Sequence, residues 1–298
     1  MADAVTGFDE LARAQGGRAV WFGVEPGETE LFATHTGLVV GSHPIWNPST
    51  WPDVVRQRAS VRAQIRRAAN KGVEVHEISA DIASSIPALR QCLDQWMTSR
   101  GLPALRFLTD PFVLDTLGDR RVFVAMRDHE IVAYALLAPV HARSGWMIEW
   151  IIQGAHAPNG TASRLLDAAF RTIANEGSTW ATLGLAALSS TAPASSTTPP
   201  FIVRALLSWT RAHARRFYNF EGLERFKAKF EPESWEPIRL YVDEPQVTLS
   251  TLYAVADAFA GERSPIGLVS RALASAAQDE ARAARLALRA RFNSTLGS

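Results

Sequence analysis

The sequence predicts an α/β (α+β) protein built as two units in tandem, each a mixed, mostly antiparallel sheet flanked by helices. Three observations predict it. Short runs rich in Val, Ile, Leu and aromatic residues recur between turn signals. Longer segments with apolar residues three and four apart separate several of these runs. A chain of 298 residues is long for one core and short for three.

In the first hundred residues, 20–24, 31–34 and 38–41 are strand candidates. A helix is expected from about Pro52 to Asn70, ended by Lys71-Gly72. Residues 73–78 alternate as a strand, and 82–98 read as another helix. Further on, 122–126, 131–137 and 146–152 read as three strands, with turns at Asp128-His129-Glu130 and at 141–145. Leu165, Leu166, Ala169, Phe170 and Ile173 share one face of a helix that ends near Gly177. Residues 180–185 are a strand again, and 201–215 a helix rich in Ala, Leu and Trp. The order strand, strand, strand, helix, strand, helix, strand is that of a GNAT-type acyltransferase domain. The first hundred residues look like a reduced version of the same plan. The expected division is an N-terminal unit at 1–100, a C-terminal catalytic unit at 101–245 and a helical tail at 246–298.

Residues 189–200 are almost entirely Ser, Thr, Ala and Pro, a surface-loop composition that suits either a tolerated insertion or a lid. In the tail, Arg271, Arg282, Arg285, Arg289 and Arg291 lie against Leu273, Ala277, Ala281, Ala284 and Leu288, the pattern of a basic amphipathic helix. An alanine-rich face binds membranes weakly. A solvated helix packed on the body is the plainer reading, and a peripheral membrane contact the other.

Composition removes several function classes. The formal net charge of +1 points to no polyanionic partner overall, so any such site must come from local clustering. The lone Cys92 rules out an intrachain disulfide and any multi-cysteine metal site. The seven histidines are scattered without His-x-His or His-Glu-x-x-His spacing, so no metal is expected. No leader and no apolar run near ~20 residues is visible. The expectation is a cytoplasmic protein, at most peripheral at the inner face of the plasma membrane.

The segment Phe217-Tyr218-Asn219-Phe220-Glu221-Gly222-Leu223-Glu224-Arg225-Phe226-Lys227-Ala228-Lys229-Phe230 carries the strongest functional signal. Aromatic residues are interleaved with Lys227 and Lys229, and two ammonium groups so close in sequence suggest an anionic partner. Read as a strand, this segment lies beside the third strand of the second unit. The segment resembles the C-terminal motif of the bacterial aminoacyl-tRNA-dependent lipid aminoacyltransferases (DUF2156), the family that makes lysyl- and alanyl-phosphatidylglycerol. Three more segments resemble that family in the same order. They are the basic helix at 60–72, Glu149 followed by Ala157-Pro158-Asn159-Gly160-Thr161, and Leu183-Gly184-Leu185-Ala186-Ala187-Leu188-Ser189. The resemblance spans roughly residues 20–242. There are departures: Glu149 stands where Asp is common, and Trp150-Ile151-Ile152 follow it in place of a run ending in arginine. Family relatives often carry a membrane domain upstream, so a stand-alone form is expected here.

The resemblance implies tandem GNAT-like units, an aminoacyl-tRNA donor, a lipid or other small hydroxyl acceptor, and no cofactor. It implies catalytic roles for Glu149, Lys227, Lys229 and Tyr218, and substrate contacts from Asn159, Gly160, Thr161, Ser189, Asn219 and Glu221. The residues themselves allow both functional and structural readings. Glu149, among Trp146, Ile148, Trp150 and Ile152, needs a partner; that is either a substrate ammonium, the proton of an attacking hydroxyl, or a structural arginine. Lys227 and Lys229 can neutralise a phosphate or stabilise an oxyanion, or form a strand-face charge pair. Tyr218 can donate to the same anion or be a satisfied buried Tyr. Ser189 can bind substrate or cap a loop. Arg58, Arg62 and Arg66, flanked by Arg67 and Lys71, form a row with no acidic residue between Val54 and Gly72. Such a row suits tRNA phosphates or a solvated face. The loop 157–161 opens a helix whose amides and dipole can hold an anion. Pro158 removes a donor there and argues against acyl-CoA. A CoA-dependent acyltransferase and a non-catalytic RNA- or lipid-binding module remain the alternatives to an aminoacyltransferase. The reading expects Glu149, Lys227 and Lys229 to converge near the Asn159-Gly160 turn.

Overall fold

The computed structural model describes residues 2–99, 110–189, 191, 201 and 220–260. Nine strands are present among them: β1 (Val20–Val24), β2 (Thr36–Trp46), β3 (Glu74–Ile78), β4 (Arg121–Arg127), β5 (Glu130–Val140), β6 (Gly145–Gln153), β7 (Ala181–Thr182), β8 (Ala186–Ala187) and β9 (Ser234–Val242). They form one open sheet in the order β1-β9-β2-β7-β6-β5-β4-β3, with β8 paired to β2. Every pairing is antiparallel except β6 with β7. The expected sheets therefore run into one another. β9, from the far end of the chain, lies between β1 and β2.

The helices are α1 (Ala2–Ala14), α2 (Trp51–Gln57), α3 (Ala59–Asn70), α4 (Ala80–Ser84), α5 (Pro87–Ser99), α6 (Thr161–Asn175), α7 (Phe220–Ala228) and α8 (Leu249–Ala260). Strand alternation divides the core between two faces. Phe123 and Ala125 of β4 pack with Val61 and Ile65 of α3 and Leu165, Leu166, Ala169, Phe170 and Ile173 of α6. Val122 and Val124 pack on the other face with Leu89 and Leu93 of α5. Each large apolar side chain buried this way contributes about 1.5–3 kcal/mol.

Local chemistry sets the element ends. Asp128 and His129 both have positive φ, the two-residue turn that suits the right-handed twist of the β4–β5 hairpin. α3 ends at Gly72 and α6 at Gly177, both left-handed. In each case the next residue donates back to the carbonyl of C3, Val73 to Ala68 and Ser178 to Ile173.

Several expectations are corrected. Residues 31–34 are not a strand: Pro26–Phe32 is a 3₁₀ turn opened by Pro26-Gly27, and it seats Phe32 between Trp21 and Tyr241. The helix expected over 52–70 breaks at Arg58, whose backbone is extended. The one expected over 82–98 breaks before Pro87, which cannot continue a helix. Of the strand expected over 180–185 only Ala181–Thr182 pairs, because Gly184 turns left-handed. The segment read as a strand is instead helix over Phe220–Ala228, with Lys229 in the turn that follows. The helix expected over 201–215 and most of the tail lie outside the described residues. Among the described residues no helix is long and apolar enough to cross a membrane.

Candidate active site

The sheet opens at its middle. β6 and β7 share only the pairs Trp146↔Ala181 and Met147↔Thr182. Beyond them β6 runs on through Ile148–Gln153, while the other chain turns at Gly184, leaves the ladder and rejoins β2 at Ala186–Ala187. The edge of β6 past Met147 is thus not paired to β7. A backbone edge of this kind can take an extended ligand by hydrogen bonding.

Lys227 approaches this opening from α7, and Lys229 follows in the turn just past the helix. On a helix, residues two apart diverge by about 200°, so Lys227 and Lys229 point in different directions. Lys227 is buried, and its Nζ donates to Gly184 O at 2.8 Å and Leu185 O at 3.0 Å. These carbonyls belong to the step where the chain has left the ladder, so the lysine supplies donors the sheet no longer gives. Burial pushes its ammonium down to about 7. A neutral amine still has two N–H groups, one for each carbonyl. Lys229 is half-buried, its Nζ 3.3 Å from Ser163 Oγ and 4.8 and 4.5 Å from the ring centres of Phe226 and Phe230. Burial lowers its pKa as well. Neither lysine has a carboxylate partner among the described residues. The end of α7 is pinned by Phe230, which is fully buried and accepts from Trp46 Nε1 at 2.9 Å.

Glu149 lies on the opening strand at a β-bulge. The β5–β6 register passes from Leu136↔Trp150 to Leu137↔Ile148, leaving Glu149 opposite no residue. Its carboxylate is gripped by Arg120, Nε to Oε2 at 2.6 Å and Nη2 to Oε1 at 3.2 Å. Glu149 shows no contact with either lysine. Met147, two residues before it, has its sulfur beside Gly184. Arg120 was not anticipated from sequence. The available signal was an arginine after the Leu117-Gly118-Asp119 turn, where a strand neighbouring the carboxylate's hairpin begins.

The Asn159-Gly160 turn is filled from within the protein. Gly160 has φ +102°, and a β-carbon there would overlap the Gln64 carbonyl oxygen of α3. Thr161, Ala162 and Ser163, the first turn of α6, are buried, and Thr161 Oγ1 donates to Pro158 O at 2.7 Å. Asn159 is exposed. Ser189 is buried and accepts from Thr191 N at 3.1 Å, in a hydroxyl cluster completed by Ser42. Glu221 pairs with Arg225 along α7. Tyr218 and Asn219 lie outside the described residues. In the basic row, Arg58 pairs with Glu231, and Arg62 donates to the carbonyls of Val55 and Arg56 at the end of α2. Arg66, Arg67 and Lys71 are exposed.

Among the described residues, one group of side chains has donors near enough for a cation: Glu25, His43 and Glu236, within 4.8 Å of one another. Arg143 bridges both carboxylates, at 2.9 and 3.3 Å, and takes the place a cation would need. Burial, reinforced by that guanidinium, lowers the pKa of His43.

The fold is a mixed α/β sheet parted between its two parallel strands, β6 and β7, with Glu149 on a bulge of β6 and Lys227 holding the carbonyls at the parting. The chain belongs to the phosphatidylglycerol lysyltransferase C-terminal family, which it matches over residues 1–241. Among solved structures it is similar to the C-terminal DUF2156 domain assigned to a lysylphosphatidylglycerol synthetase of Agrobacterium fabrum. The TM-score is 0.70 at 26% identity, covering 86% of this chain and 76% of that one. It shares its fold with L-PGS from Bacillus licheniformis, with a TM-score of 0.65 at 20% identity over 87% of this chain and 78% of that one. A Bacteroides thetaiotaomicron protein of unknown function has the same fold, with a TM-score of 0.56 at 12% identity over 81% and 75% of the two chains. No curated protein matches the sequence significantly.

Proposed function

We propose that this chain passes an amino acid from aminoacyl-tRNA to a hydroxyl (or amine) of a lipid such as phosphatidylglycerol, or of another small acceptor. The single observation that carries the choice of donor is the closed first turn of α6. Thr161, Ala162 and Ser163 are buried and Gly160 is pressed against α3, so the helix end has no open amides for a pyrophosphate. That removes the chief support for a CoA-dependent reading, and family membership supports the aminoacyl one.

In this reading residues 101–245 carry the chemistry. The aminoacyl ester lies along the unpaired edge of β6. The acceptor oxygen attacks the ester carbonyl, and the terminal hydroxyl of the tRNA leaves with a proton. Exchange of one ester for another is nearly balanced in free energy, so catalysis is mainly positioning and charge stabilisation. Glu149 meets the substrate on the β6 side. Lys229, a cation without a carboxylate partner among the described residues, faces the carbonyl oxygen as negative charge develops. Lys227 acts from behind, holding the carbonyls of Gly184 and Leu185 that shape the opening. Exposed Arg66, Arg67 and Lys71 contact tRNA phosphates. The reaction runs at the cytoplasmic face of a membrane, where charged tRNA and lipid headgroups meet.

The test is incubation of the pure protein with tRNA charged with mixed labelled amino acids and with phosphatidylglycerol vesicles. Labelled amino acid should enter the lipid fraction, and Lys229→Ala should cut the rate by roughly 10²-fold. Calorimetry with millimolar acetyl-CoA should show no heat of binding. Absence of any aminoacylated product, or micromolar binding of acetyl-CoA, overturns the proposal.

A further inference from the structure

We infer that Arg120 is a positioning residue for the transfer: its guanidinium fixes Glu149 as an anchor for the free α-ammonium of the donor. The inference rests on the role given to Glu149 under the proposed function. A strand residue opposite a partner has its direction set by the pleat, but Glu149 sits on the bulge and is released from that constraint. Arg120 supplies the lost constraint. Its Nε and Nη2 take one carboxylate oxygen each, at 2.6 and 3.2 Å, the parallel fork that only a planar guanidinium offers.

The arginine is itself held from behind. Its Nη1 points at the carbonyls of Thr116 and Leu117, 3.3 and 3.4 Å away. The turn that carries those carbonyls depends on left-handed Gly118 and closes through Arg120 N to Leu117 O at 3.0 Å. Every nitrogen of the guanidinium is thus engaged, and pairing with Glu149 raises its already high pKa.

Two features say what the arrangement is for. The pair is reachable, with side-chain exposures of 27% for Arg120 and 23% for Glu149, and ion pairs this exposed contribute little stability. An ionised carboxylate has about four lone-pair positions, and the fork uses two. The remaining pair can accept N–H groups from an ammonium. A donor with a free α-ammonium therefore fits, and an N-acylated donor does not.

The test compares the wild type, Arg120→Lys, Arg120→Met and Glu149→Gln. The assay follows transfer of label into phosphatidylglycerol vesicles from charged tRNA, before and after N-acetylation of the aminoacyl groups. Thermal unfolding is recorded for each protein. The wild type should prefer the free-amino donor by at least about tenfold. Arg120→Met should raise the KM for that donor by roughly tenfold with a smaller change in kcat, and should lose most of the preference, as Glu149→Gln does. Arg120→Lys should fall between, because it keeps the charge without the fork. If Glu149→Gln is impaired while Arg120→Met keeps the wild-type KM and preference, the inference about Arg120 fails alone. It also fails if Arg120→Met and Arg120→Lys lose kcat and Tm together with the preference intact. If Glu149→Gln behaves as wild type, the role of Glu149 in the proposed function falls with it.

Discussion

Replacing Lys227 by methionine isolates the effect of a buried amine on stability. The substitution keeps the length of the stem and removes the donors. Gly184 O and Leu185 O then lose the hydrogen bonds made at 2.8 and 3.0 Å. A buried acceptor left unpaired costs about 1–3 kcal/mol, so at high pH the variant should be less stable by a few kcal/mol. Burial has pushed the native pKa to about 7, whereas an unfolded lysine titrates near ~10.4. Between these values the unfolded chain binds one more proton than the native protein at this site. Wild-type stability therefore rises with pH across the window, by up to about 1.4 kcal/mol per unit. The contribution is complete above the unfolded pKa and is lost as pH falls through about 7. Urea unfolding of both proteins at pH 6.5, 8 and 9.5 measures it. The difference in stability should widen steadily with pH, and near pH 6.5 the variant should match or exceed the wild type. Lys229, lowered in the same direction, is common to both proteins and cancels. A pH-independent difference would refute the reasoning, because it would mean that Lys227 is charged in the native state throughout.

Three further outcomes are expected. Gly160→Ala should destabilise by about 2–4 kcal/mol, since the backbone is left-handed and the new methyl meets the Gln64 carbonyl; a urea midpoint equal to wild type would refute the packing of α3 on α6. Trp51→Phe should cost about 1–3 kcal/mol in the same assay, because buried Asp167 loses the indole N–H at 2.9 Å while keeping Arg171. Arg66→Glu with Arg67→Glu should weaken tRNA binding and flatten its dependence on log salt by about one unit per lost phosphate contact, read by filter binding; reversal of Arg58, tied to Glu231, should do less.

Much of the candidate site was legible, though not its geometry. The carboxylate, the two lysines and the Asn159-Gly160 turn were all marked by residue type and order. The strand reading of residues 217–230 followed their alternating aromatics and lysines. Phe220, Leu223, Phe226 and Phe230, three and four apart, carried the helical period that won. That change of period sends Lys227 inward to two carbonyls and Lys229 towards α6. Convergence of Glu149 with the lysines was expected, and the carboxylate is instead held by Arg120 across the start of β4.

The sequence by itself determined what consecutive residues can encode. The apolar period of α6, the Asp128-His129 hairpin, the glycine stops at Gly72 and Gly177 and the ordered family motifs all act within a few residues. The tertiary structure decided which distant groups meet: β9 between β1 and β2, Gln64 against Gly160, Arg120 with Glu149, and Lys227 with the carbonyls of Gly184 and Leu185. Local propensity sets the direction of the chain from one residue to the next. Which charge finds which partner depends on packing that brings together groups 29 and 43 positions apart, and no local pattern records that distance.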